Sequence, residues 1–231
     1  MSTRAATHSR RAVLGAATWA ALALSPLSLR AEDDFARVCR EKMQAIYRAA
    51  MRFAADHDGY LPPAWMDPKL RQPIRGRGHW LAYLKPYLTG MGERTDCGYR
   101  RNRRQPAGGV AHCPANPYWY GGNGPNCIGY AWNSELGLVG AGGAAVARGP
   151  YRFADIANKE RTILLVDAAG RPGNLPRCHY HAGRPAEAGA WHDGKVHVLF
   201  LDGHIEALPP EKISPDWFAV RVRPAAKSSK P

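Results

Sequence analysis

The sequence lacks most of what would announce a familiar enzyme. No Gly-x-Ser-x-Gly elbow, no His-Glu-x-x-His pair and no phosphate-binding glycine loop occurs in its 231 residues. Nothing therefore points to nucleophile-elbow hydrolases, zincins or P-loop nucleotide enzymes. Acid is also scarce. Only 19 Asp and Glu oppose 32 Lys and Arg, and none of the 19 lies in the first 31 residues. Cysteine is limited to five positions, 39, 97, 113, 127 and 178. An odd number cannot all pair internally, and none shows the close paired spacing of a zinc ribbon or knuckle. A sustained apolar run is missing as well: the best stretch, Ala12 to Leu29, is short for a membrane span and is interrupted by Pro26.

The acid-free start carries Arg4, Arg10, Arg11 and Arg30 around that run, which is the grammar of an export signal. "SRRAVLG" resembles a twin-arginine signal, with Arg10 and Arg11 just ahead of a weakly hydrophobic Ala/Gly/Thr-rich segment. We expect residues 1–31 to be a signal peptide, 32–213 one domain and 214–231 a C-terminal tail, with a periplasmic or secreted mature chain. Removing the leader leaves 32 − 4 = 28 basic against 19 acidic side chains. The mature protein thus still favours anionic surfaces, and Arg100, Arg101, Arg103 and Arg104 in "YRRNRRQ" are its densest candidate contact for an anionic polymer. In an oxidising compartment a disulfide among Cys97, Cys113 and Cys127 would brace a Gly/Pro/Asn-rich region. Cys113–Cys127 is the expected pair.

With 24 Gly and 19 Pro, many turns and long loops are expected. One long helix is written over Asp33 to His57: Phe35, Val38, Cys39, Met43, Ile46, Ala50 and Phe53 recur at spacings of three and four, and Gly59 with Pro62-Pro63 stops it. "HWLAYLKPYLTG" reads as a short aromatic helix broken at Pro86, "CIGYAWNSELG" as holding one short strand, and "RTILLVDA" as a central strand ending at Asp167. In "WHDGKVHVLFLDGHIEAL", the alternation of Val196, Val198 and Phe200 with His197, Leu199 and Leu201, then Ile205 and Ala207, gives two strands. Asp202-Gly203 between them predicts a type I′ turn with positive φ at both residues.

His192, nine intervening residues and Asp202-Gly203 form the H-x9-DG signature. The chain resembles the prepilin-type processing-associated, pseudopilin-like family that carries it. Cys39 with the following helix resembles the family's start, and Asp56, Gly59 and Pro62 fill its Asp-x-x-Gly-x-x-Pro. "HCP", "GYAWN" and "RTILLVDA" are similar to its Cys-Pro, Tyr-Gly-x-Asn and pre-His strand segments. The likeness covers roughly Phe35 to Leu208. It departs at the leader, where the glutamate of a prepilin peptide is replaced by Ala20. The resemblance implies an α+β fold of pilin or pseudopilin type, a long N-terminal helix packed on an antiparallel sheet. It also implies a structural or interaction role among envelope or secretion-system proteins. On that reading His192, Asp202, Gly203, Asp167, Asp56, Gly59 and Pro62 are structural and no residue is catalytic. The competing expectation is a metal- or cofactor-binding envelope protein in which His179, His181, His192, Asp202 and His204 hold zinc, iron or copper.

Overall fold

The computed structural model describes residues 26–66, 78–88, 110–111, 113–116, 129–139, 149–169, 181–182 and 184–224. Helix α1 spans Pro26–Asp56, so it begins earlier than its apolar periodicity at Asp33 predicts. Proline is favoured at a first helical position, and Leu, Arg, Ala and Glu in "LSLRAEDD" are good helix formers, which accounts for the earlier start. Its packed stripe starts at Cys39 and runs through Met43, Ile46, Ala49, Ala50 and Phe53. Phe35, expected on that stripe, is 44% exposed. The C-terminus closes as the sequence indicates: the Gly59 N–H bonds Ala54 O at 2.8 Å, with φ +83° at Gly59.

The strands are β1 (Trp65–Met66), β2 (Gly78–His79), β3 (Tyr130–Asn133), β4 (Leu138–Val139), β5 (Ile163–Asp167), β6 (His181–Ala182), β7 (Val196–Phe200) and β8 (Ile205–Leu208). A short helix α2, Trp80–Leu84, follows β2 and continues as a 3-10 turn over Lys85–Tyr87 where Pro86 removes a donor. The main sheet has the order β6-β3-β5-β7-β8, and β5 is its centre. Pairs β3–β5, β5–β7 and β7–β8 are antiparallel, while β6 joins β3 in parallel. A second sheet, β2-β1-β4, was not apparent in the sequence because its strands are two residues each. The class is α+β.

Both faces of the main sheet are covered, so β5 and β7 are buried throughout. On one face α1 and α2 meet Tyr130, Trp132, Leu164, Leu165, Leu199 and Leu201, with Trp80 stacked on Trp132 at 5.3 Å. On the other face Ala131, Ile163, Val166, Val198 and Phe200 meet Ile213 and Phe218. The segment after residue 213 also packs on this face. Phe218 is buried, and Arg223 N–H bonds Asp155 O at 2.8 Å. Burying the apolar face that α1 leaves uncovered requires this final segment.

One register detail positions the chemistry. Along β5 and β7, Ile163 pairs Phe200 but Leu165 pairs Leu199, so Leu164 is an extra residue. This bulge places Leu164 and Leu165 in the same core cluster and turns Asp167, two residues past Leu165, to the face under α1. On the far face the Asn133 carboxamide donates to Ile163 O at 2.8 Å and Phe218 O at 2.9 Å and accepts from the Glu135 N–H at 3.0 Å. Asn133→Leu would strip three partners from buried backbone, so it should cost about 3 kcal/mol in a urea unfolding titration. A loss under about 0.5 kcal/mol would show that Asn133 does not tie the C-terminal segment down.

Candidate functional site

A polar centre lies between α1 and the main sheet, in a region that is otherwise apolar. Cys39, Cys113, Asp167 and His192 are all buried, and one ligand-capable atom of each lies within 4.8 Å of the other three. The Cys39 thiol approaches Cys113 Sγ at 3.5 Å and donates to Asp167 Oδ1 at 3.3 Å. Cys113 Sγ lies 3.2 Å from His192 Nε2, which stands 3.6 Å from Asp167 Oδ2. Around them, the Tyr130 hydroxyl is 3.1 Å from Cys39 Sγ. The His197 ring lies tilted by 32° against His192 with centroids 4.1 Å apart, and its backbone N–H bonds Asp167 Oδ2 at 2.8 Å. His197 Nδ1 has no hydrogen-bond partner and faces the same carboxylate oxygen at 3.7 Å.

Each group arrives by its own local device. Cys39 begins the packed stripe of α1. The Cys113 segment can lie against β3 because residue 129 is glycine: a Cβ there would stand 2.3 Å from Cys113 N. Asp167 is turned by the β5 bulge. His192 is presented by the turn His192-Asp193-Gly194-Lys195, closed by reciprocal backbone bonds of 3.2 and 3.0 Å. Asp193 has φ +51° and Gly194 φ +72°, the type I′ signature. Trp191 anchors the approach by donating from Nε1 to Ala168 O at 2.9 Å.

The electrostatics follow from burial. Desolvation pushes Asp167 up to about 7, against the backbone hydrogen bond from His197 and the thiols, and drives the Cys39 thiol and the Tyr130 hydroxyl far above their usual range. The same cause lowers His192 to about 4 and His197 to about 3, with Arg40 and the neighbouring imidazole adding to the shift. Without a compensating cation the centre thus favours a protonated Cys39 thiol and neutral imidazoles. Lys42 is close enough to feel both sulfurs, which raise its pKa against a larger lowering by burial. Two sulfurs, a carboxylate and an imidazole nitrogen are also a donor set for a borderline-soft divalent ion.

No family model, no curated protein and no solved structure matches the chain. Its chemistry is therefore read from these residues alone, and they reorganise the histidine set expected from sequence. Among the described residues of that set, only His192 enters the centre. Asp202 and His204 pair with each other at the exposed hairpin end, Oδ1 to Nδ1 at 2.6 Å, and His204 Nε2 reaches Glu206 at 3.3 Å. His192 precedes β7 (Val196–Phe200) and Asp202 and His204 follow it, so a strand of five residues, about 17 Å at about 3.3 Å per residue, stands between them and the proposed ligand group is not assembled. His181 lies on β6 beside Trp132. His179, Cys97, Cys127, Cys178 and Arg100, Arg101, Arg103 and Arg104 fall outside the described residues. The expected Cys113–Cys127 disulfide gives way to a free Cys113 thiol facing Cys39. The approach across 74 residues is made by tertiary packing, which cysteine spacing does not encode.

The Asp202-Gly203 turn also differs. Only Gly203 is positive, at φ +94°, and bonds Gly203 N–H to Phe200 O and Phe200 N–H to His204 O, both 3.0 Å, close a three-residue loop with a glycine bulge. Of the two Asp-Gly pairs that flank β7, the type I′ turn belongs to Asp193-Gly194. Gly203 instead presses on α1: Gln44 Nε2 donates to its carbonyl at 2.7 Å, and a Cβ would meet Tyr47 Cε1 at 2.8 Å. The His192 and Gly203 ends of the signature therefore both dock on α1. Gly194→Ala, with open space for its Cβ, should cost about 1 kcal/mol from backbone conformation alone. Gly203→Ala should cost about 3 kcal/mol, part of it recovered in a Tyr47→Ala background. Equal losses in thermal unfolding would remove Gly203 from helix docking.

Proposed function

We propose that the chain is an exported, pseudopilin-like structural and interaction protein of the cell envelope, linked to type II secretion or pilus-like assemblies. The observation that carries this reading is the use of the His-to-Asp-Gly signature: its Gly203 end is bonded by Gln44 of α1, and its buried His192 meets Cys113 within 4.8 Å of the Cys39 thiol. A group enclosed among Cys39, Cys113 and Asp167 braces the fold and offers no face to a substrate. The long helix laid across an antiparallel sheet supports the pilin-like comparison. The paired Arg10 and Arg11 ahead of a weakly apolar run support export, and among the described residues no helix is long and apolar enough to cross a membrane.

A second reading, a metal-binding envelope protein, is favoured by the donor set at α1, in place of the histidine cluster first expected. The two readings are compatible, because a closed metal centre is itself a structural brace.

Export and assembly can be tested together in cells producing the full chain with a C-terminal epitope. The wild type should fractionate with the envelope and give a discrete cross-linked species with a second protein. Arg10→Lys with Arg11→Lys should leave the protein inside the cell. A wild type found in the cytoplasm as an uncross-linked monomer would overturn the proposal.

A further inference from the structure

We propose that Cys39, Cys113, Asp167 and His192 are the four ligands of a structural zinc ion that pins helix α1 to the main sheet. The site goes beyond the scaffold reading and stands independently of it, because it depends only on side chains already brought together.

Geometry comes first. Zinc bonds of about 2.3 Å to sulfur and about 2.0 Å to nitrogen or oxygen give a tetrahedron with edges of about 3.8 Å for S···S, 3.5 Å for mixed pairs and 3.3 Å for N···O. Four approaches can be set against those six edges: 3.5 Å between the two sulfurs, 3.3 Å from Cys39 Sγ to Asp167 Oδ1, 3.2 Å from Cys113 Sγ to His192 Nε2 and 3.6 Å from His192 Nε2 to Asp167 Oδ2. Each of the four is within about 0.3 Å of the matching edge, one atom of every group lies within 4.8 Å of the other three, and rotation of the Asp167 carboxylate would bring a single oxygen to the ion. The four ligands come from α1, the 113–116 segment, the end of β5 and the turn before β7, so one ion would close three long loops.

Burial then separates a metal site from a hydrogen-bonded cluster. A cluster of two thiols, a carboxyl and an imidazole gains weak bonds at best, since sulfur is a poor donor and acceptor, yet all four polar groups sit where apolar packing would be cheaper. A dication reverses that balance by binding two thiolates and a carboxylate. The net charge is then −1, in a place where the Lys42 charge is felt at both sulfurs and the Arg40 charge at His192. The buried His197 Nδ1, without a hydrogen-bond partner and aimed at Asp167, takes the place of an outer-sphere group that orients a carboxylate ligand.

Donor chemistry selects the ion. Two sulfurs exclude magnesium and calcium, and four protein ligands in a closed, buried site leave no open position for a reacting water. Those properties match structural zinc and not a catalytic centre. The scattered positions 39, 113, 167 and 192 have no short-range spacing for a sequence pattern to detect.

The test uses the full chain purified without chelator from zinc-supplemented cells. Mass spectrometry for elements should return about one zinc per chain, and titration of the thiols with an organomercurial should release it. Stripping the ion should lower the thermal midpoint by about 10 °C or more. Cys113→Ser, Asp167→Asn and His192→Gln should each lose the metal, while His204→Gln should keep it. Should the ligand variants fail to fold, cobalt added to the stripped wild type decides: intense tetrahedral visible bands with a thiolate-to-cobalt charge-transfer band support the site. A pale octahedral spectrum overturns it. So would wild-type protein isolated without bound zinc from the supplemented cells, a thermal midpoint unchanged by stripping, a Cys39–Cys113 disulfide, or zinc that survives in the Cys113→Ser and His192→Gln variants. Failure of the envelope localisation would leave every one of these results unchanged.

Discussion

Everything else in the fold accommodates one contact, the meeting of the Cys39 thiol on α1 with Asp167 at the end of the central strand. A helix lying on a sheet is normally held by apolar area alone, at roughly 25 cal/mol per Å². Here the apolar seam of Met43, Ile46 and Phe53 is interrupted at its start by polar atoms that need partners. Leaving any of them unsatisfied costs about 1–3 kcal/mol, so the seam can close only in one register. That gives the polar centre a specifying role besides any stabilising one: a slip of α1 by one turn would leave Asp167 facing carbon.

The surrounding irregularities follow from that contact. The extra residue at Leu164 turns the carboxylate toward the helix. Gly129 admits the Cys113 backbone, and Gly189, where a Cβ would stand 2.2 Å from Trp191 Nε1, admits the indole that steadies His192. The Asp193-Gly194 turn lifts the imidazole over the strand end, and Gly203 clasps the helix two turns further on at Gln44 and Tyr47. Each is a departure from regular structure that a scaffold without a central constraint would have no reason to keep.

Long, periodic elements were readable in the sequence and long-range meetings were not. The α1 stripe from Cys39 onward, the α2 break at Pro86, β3, the buried run of β5 and the β7–β8 pair all follow from local pattern, because period and turn chemistry are encoded within a dozen residues. The type I′ turn was assigned to the wrong Asp-Gly, since both pairs carry the same local signal and only the flanking register tells them apart. Phe35 was placed in the core because periodicity marks a face without marking where the sheet beneath it begins. The ligand set was misjudged for a related reason: sequence proximity gathered His192 with Asp202 and His204, whereas the fold gathers it with residues 79 and 153 positions away, Cys113 and Cys39. The signal that could have found them was already present in the ordered Cys, Cys-Pro, strand-ending Asp and His, read as landmarks of a family and not as one site.

The claim that these four side chains hold α1 through an ion is tested most directly by X-ray absorption at the zinc edge on the purified full-length protein. The account predicts a four-coordinate first shell with two sulfur scatterers at about 2.3 Å and two nitrogen or oxygen scatterers at about 2.0 Å. A shell lacking sulfur, or one of four sulfurs, would contradict it.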